Sequence, residues 1–159
     1  MLRFNLQGLL TPAENIYTSI SEFEETFVKS VYTPGRRQLF INYINYSSEL
    51  KDQCGGIGIT QWIDGSFVTK KQEPHDIDLV TFIDFSIAEM FEDTLSEFKY
   101  PRSEIMFGVD AYLVKTYPPG HRLYKVYLSD RAYWINHFGK TKRNRVGNKS
   151  SKGFLEIKF

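Results

Sequence analysis

Cysteine is nearly absent. Cys54 is the one thiol in 159 residues, so an intrachain disulfide is excluded and a reducing, cytoplasmic setting is expected. It reads as a small residue before the turn "GG" rather than as a nucleophile. No apolar run approaches the roughly 20 residues of a membrane helix, and the start, "MLRFNLQGLL", has no uninterrupted apolar core, so no signal peptide is expected. No sign of charge dominates: the formal net charge is +1, which gives no global pull toward nucleic acid or a lipid surface. No repeat, low-complexity segment or linker divides the chain, so residues 1–159 are expected to form one domain. His75, His121 and His137 stand at no metal-binding spacing with Cys54 and read as surface or packing residues. What the chain does have is apolar and aromatic content, 42% and 16%, enough for a real core.

The charge is uneven locally. From Phe138 to Phe159 seven bases, Lys140, Lys142, Arg143, Arg145, Lys149, Lys152 and Lys158, meet one acid, Glu156. Such a block suits phosphates, or is simply solvated.

Periodicity predicts the element order α α β β α β α β, a mixed α/β domain with a small sheet packed by helices. "TSISEFEETFVKS" carries a capping-box spacing, Ser19 to Glu22, and a second helix is expected from about Arg36 to Lys51. Strands are expected over Ile57–Asp64, Asp76–Asp84, Glu104–Tyr117 and Lys152–Phe159. A helix capped by Ser86 should carry Ile87, Met90, Phe91, Leu95 and Phe98 inward. A second should run from His121 to Gly139, with a break near Ser129-Asp130.

The acids do not fit that pattern quietly. Asp76 and Asp78, one residue apart in a strand, project on the same side. Asp110 is expected in the middle of the apolar run "IMFGVDAYLV". A buried carboxylate is costly without a partner, and these strands supply no Lys or Arg beside it. A divalent cation would serve all three acids, and oxygen-only ligands favour Mg²⁺ or Mn²⁺ over zinc. A solvated turn is the plainer reading of the D-x-D pair alone. Asp64 and Asp84 read as solvated or capping. Gly65-Ser66 directly follows a strand. Glycine admits close approach of backbone to a ligand, and exposed N–H groups with the Ser66 hydroxyl can hold phosphate. Nine residues separate Ser66 from Asp76, enough to return the chain beside it.

The stretches "WIDGSFVTKKQEPHDIDLV" and "FGVDAYL" together resemble the nucleotidyltransferase superfamily, the DNA polymerase β-like fold. Its motif is an apolar strand, Gly-Ser or Gly-Gly, about ten residues, Asp-x-Asp, and a third acid on a later strand. The likeness covers about residues 57–114 as a catalytic core, with N-terminal helices (19–53) and a basic C-terminal loop and strand (139–159) outside it. "FNLQGLL" and "FGKTKRNRVGNKSSKGFLEIKF" add a likeness to an uncharacterised bacterial family of small stand-alone nucleotidyltransferase-like proteins. That wider group includes minimal transferases and toxin–antitoxin components. The resemblance implies transfer of a nucleoside monophosphate from a nucleoside triphosphate to an RNA or protein acceptor. Asp76, Asp78 and Asp110 would be the catalytic and metal-binding acids. Gly65, Ser66 and Lys70 would hold the nucleotide, and Lys142, Arg143 and Arg145 the acceptor. It also implies an alternative: a non-catalytic antitoxin or nucleotide-binding module acting through a partner protein. One departure is that "FVTKKQEPH" has neither the Arg nor the second Gly common there. Another is that no large helical domain follows the third acid.

Overall fold

The computed structural model describes residues 1–159 and bears out the mixed α/β expectation. Three short strands come first, β1 (Arg3–Phe4), β2 (Leu10–Thr11) and β3 (Asn15–Tyr17). At two or three residues each they are too short to show a period. Helix α1 (Ile20–Glu24) runs on into a π-helical turn (Glu25–Lys29). Ser19 caps α1 as its spacing predicts, accepting from the Glu22 N–H at 3.1 Å, while the Glu22 carboxylate accepts from the Thr18 hydroxyl at 3.0 Å. Helix α2 (Pro34–Gln53) is capped by Thr33 and has proline at its first turn, where no N–H is missed.

The strands β4 (Thr60–Asp64), β5 (Asp78–Asp84), β6 (Asp110–Thr116) and β7 (Phe154–Lys158) join β3 in one five-stranded sheet, ordered β3-β7-β4-β5-β6. Strands β4 and β5 are antiparallel, β5 and β6 parallel. Side-chain alternation divides the core in two. Ile63, Leu79, Ala111, Leu155 and Ile157 face α1 and α2 in the larger cluster, with Phe23, Tyr43 and Leu50. Trp62, Val80, Val114 and Phe154 face the other way, under Trp134 and Phe138 of helix α6 (Tyr124–Phe138).

Several expectations are corrected. "EIMF" is not strand but the end of helix α5 (Arg102–Phe107), closed by Gly108 at φ +70°. Its apolar residues Ile105 and Met106 are exposed, so they gave a false signal of a buried strand. Asp110 therefore opens β6 instead of lying inside an apolar run. Strand β5 begins at Asp78, leaving Asp76 just outside it. The helix expected after Ser86 is three pieces: α3 (Phe85–Met90), α4 (Glu92–Leu95) and a 3₁₀ turn (Ser96–Phe98). Its cap is Asp84, which accepts from the Ser86 N–H at 2.9 Å. Helix α6 runs unbroken through Ser129 and Asp130, both solvent-facing. Cys54 is buried at the end of α2, and burial pushes its thiol pKa up. No helix is long and apolar enough to cross a membrane.

Candidate functional site: a row of carboxylates beside a glycine turn

Strand register sets the site. Asp64 is opposite Asp78 across β4–β5, and Asp78 is opposite Asp110 across β5–β6. Residues paired in this way project on one face, so three carboxylates form a row across three strands. The face is the one α6 covers: the next row along, Trp62, Val80 and Tyr112, packs against Trp134 and Phe138. Asp76 lies two residues before Asp78, and its charge acts on both Asp78 and Asp110.

The row is electrostatically uncomfortable. Burial, then the like charges of Asp76, Asp110 and Asp64, push the Asp78 pKa up to about 7. Burial also raises Asp110, with Asp76 and Glu104 adding to it and the Tyr112 hydroxyl opposing. Tyr112 in turn is pushed up to about 12, by burial first and then by Asp110. Asp64 is 6% exposed and paired with the buried ammonium of Lys152. This corrects the reading of Asp64 as solvated or capping. Burial pushes it up to about 6, with Lys152 pulling the other way.

Gly65, directly after Asp64, has φ +84°, and a Cβ there would overlap the Asp78 carboxylate. The turn that follows is closed by the Ser66 carbonyl, which accepts from the Thr69 N–H at 3.3 Å and the Thr69 hydroxyl at 2.7 Å. The Ser66 hydroxyl itself has no partner in the chain. Lys70 points elsewhere: its ammonium sits 5.0 Å from the centre of the Phe4 ring, against the N-terminal hairpin. The loop is instead held by an arginine from α2. Arg36 is wholly buried and donates to the carbonyls of Phe27, Phe67, Thr69 and Lys71.

The basic segment folds back as a hairpin. Lys140 bridges Ser151, the Thr141 N–H donates to the Ser150 carbonyl, and the Asn144 N–H to the Asn148 carbonyl. Of the three bases expected to meet an acceptor, Lys142 carries charge toward the row, lowering Asp64, Asp78 and Asp110 alike. Arg143 braces the hairpin, donating to the Gly147 carbonyl at 2.8 Å. Arg145 is exposed.

As the side chains stand, no three His, Cys, Asp or Glu groups are gathered into a metal-holding set. Two features still fit a hard cation. The Asp110 Oδ1 is buried without a hydrogen-bond partner, and, unlike Asp64 with Lys152, Asp78 and Asp110 have no ion-paired cation, only the through-space charge of Lys142. The donors are all oxygen, which suits Mg²⁺ or Mn²⁺.

Of the residues expected at the site, the register pairs Asp78 with Asp110 and Gly65 packs against Asp78, Ser66 follows Gly65 in the chain, and Asp76 stands two residues before β5. The sequence pattern marked all five. It missed Asp64, whose strand parity with Trp62 was a usable signal, and Lys152 and Arg36, which carried none.

Fold and site define a mixed α/β protein with acidic residues aligned on three neighbouring strands beside a glycine turn. A protein-family model described as a family of unknown function (DUF6932) matches residues 2–158, and the chain belongs to that family. No curated protein and no solved structure matches it.

Proposed function

We propose that this protein is a metal-dependent nucleotidyltransferase, moving a nucleoside monophosphate from a nucleoside triphosphate to an RNA or protein acceptor. The observation that carries the reading is the register of β4, β5 and β6, which aligns Asp64, Asp78 and Asp110 on one face beside Gly65-Ser66. Asp76, Asp78 and Asp110 would hold Mg²⁺ or Mn²⁺, whose chemistry when bound is to neutralise the acids and polarise phosphoryl oxygens.

The chain's own groups do the rest. The backbone at Gly65 and the free Ser66 hydroxyl hold the triphosphate. Asp110 takes the proton of the acceptor hydroxyl. The acceptor oxygen bonds to the α-phosphorus, the bond from that phosphorus to the bridging oxygen breaks, and pyrophosphate leaves with the electron pair. A raised carboxylate is a better base than an ordinary one, and burial raises Asp110. The basic hairpin holds the acceptor, with the charge of Lys142 acting on the acids and Arg143 and Arg145 exposed. The cytoplasm is the proposed setting, on the single buried Cys54.

One observation favours a second reading. Lys152 already pairs with Asp64, and Lys142 already screens the row. A site part-neutralised by its own lysines suits a nucleotidyltransferase-fold antitoxin or nucleotide-binding module that acts through a partner without turnover. Soaking or titrating with a non-hydrolysable nucleoside triphosphate and Mn²⁺ tests both. Mn²⁺ at Asp76, Asp78 and Asp110 supports the transferase. Nucleotide bound without metal supports the module. Binding of neither sinks both.

A further inference from the structure

Arg36 is the odd residue of the interior. Its side chain is the largest of those fully buried, and no carboxylate lies within ion-pairing distance of it. Glu73 acts on it only through space, and burial pulls its pKa below the usual value. A buried charge left without an ionic partner is expensive. The structure compensates with carbonyl oxygens. The Arg36 Nη1 donates to Phe27 at 3.0 Å and to Phe67 at 2.8 Å, Nη2 to Thr69 at 2.8 Å, and Nε to Lys71 at 3.2 Å. The guanidinium also lies 5.0 Å from the centre of the Phe67 ring.

Three of those carbonyls belong to alternate residues of one loop, the loop that begins at Gly65-Ser66. With Phe67, Thr69 and Lys71 turned toward Arg36, the segment has spent its acceptors inward. The N–H groups of Ser66, Phe67 and Val68 find no acceptor in the chain, although Phe67 and Val68 are buried. Buried backbone N–H groups are almost always paired. A cation whose hydrogen-bond partners are all carbonyls therefore lies behind a loop with three unspent donors.

We infer that Arg36 is a positioning residue for phosphate binding: it shapes the Ser66–Lys71 loop and backs it with positive charge, without touching the ligand. This rests on the transferase reading for the identity of the ligand, a triphosphate. It assigns to an α2 residue the work that the sequence pattern left to Lys70, which lies over Phe4 instead. A lysine cannot replace it, because an ammonium has three donors on one point and the guanidinium spreads five over a plane.

The test uses Arg36→Lys and Arg36→Met with inorganic tripolyphosphate and ATP, both without divalent metal, and hydrogen exchange on each protein. Arg36→Lys keeps the charge and is the variant to use if Arg36→Met does not fold. The expected result is faster amide exchange confined to about residues 66–71, with β4 and β5 unchanged. Tripolyphosphate binding should weaken roughly tenfold, because the loop donors lose their preorganised geometry. Exchange that rises evenly over the whole core would make Arg36 a stability residue only and overturn the inference. So would wild-type affinity for tripolyphosphate in Arg36→Lys. Failure of the transferase reading looks different: wild type binds tripolyphosphate, loses that binding on substitution, and still transfers no nucleotide.

Discussion

The Asp78 carboxylate occupies the space that a side chain at Gly65 would need. Position 65 is therefore glycine for two reasons, its left-handed φ of +84° and its neighbour across the β4–β5 ladder. The reasons separate experimentally. Gly55, at φ +75°, has open space around its missing Cβ. Gly55→Ala should lose only the backbone term, about 1 kcal/mol. Gly65→Ala should lose more, lower the melting temperature further, and weaken triphosphate binding. Calorimetric titration and thermal melts of the two variants check this. Equal effects would mean that Asp78 simply moves aside.

The acid row makes stability depend on pH. The folded Asp78 pKa is raised from the ordinary carboxylate value to about 7, by burial first and then by Asp76, Asp110 and Asp64. Between roughly pH 4 and pH 7 the folded state then binds more protons than the unfolded state, so stability falls as pH rises through that window. The metal-free protein should melt higher at pH 5 than at pH 8. Asp78→Asn should flatten that slope, and Mg²⁺ should raise the melting temperature at pH 8 and not at pH 5. Stability that climbs from pH 5 to pH 8 would contradict the arrangement.

Much of this row could be read from sequence because strand parity is a two-residue rule. Asp76 and Asp78 share parity, although β5 begins at Asp78 and leaves Asp76 outside the ladder, and a Gly-Ser turn after an apolar strand brings the return strand alongside. The same rule applied to Trp62 and Asp64 would have found the fourth acid. What parity cannot supply is the partner of a buried group. Lys152 lies 88 residues from Asp64 in the chain, and nothing local marks it. Arg36 looked like the polar start of a helix because its work is done with backbone carbonyls, which have no sequence signature. The misreading of "EIMF" has another cause: exposed Ile105 and Met106 mimic a core strand by hydrophobicity alone. The tiny strands β1 to β3 are held by pairing, β3 along β7 in parallel, not by a pattern of their own.

The Asp64–Lys152 pair should be costly to break and cheap to replace. Lys152→Met leaves a buried carboxylate without its cation, at about 3–5 kcal/mol. The double variant Asp64→Leu with Lys152→Met should recover most of that loss. Chemical denaturation of the three variants measures it, and an additive double variant would show that the two groups do not interact.

The hairpin bases should divide into two kinds. Lys142→Ala should raise the apparent pKa of Asp78, since Lys142 lowers it, and so shift the pH midpoint of the stability curve upward. Reversal of Arg143 and Arg145 to glutamate should leave that midpoint in place, leave triphosphate affinity nearly unchanged, and reduce the salt dependence of RNA binding. RNA binding that ignores both salt and charge reversal would reduce the hairpin to a solvated loop.

The central claim is chemical turnover at the acid row, and pyrophosphate release tests it most directly. The protein is incubated with each of the four ribonucleoside triphosphates and Mg²⁺ or Mn²⁺, with and without RNA, alongside Asp78→Asn and Asp110→Asn. Asp110→Asn should fold normally, with a metal-free melting temperature equal to or above wild type, because it removes a like charge. The account predicts metal-dependent pyrophosphate from wild type with at least one nucleotide, and none from either variant. Pyrophosphate from the folded Asp78→Asn and Asp110→Asn proteins at the wild-type rate, or none from wild type under any of these conditions, would contradict it.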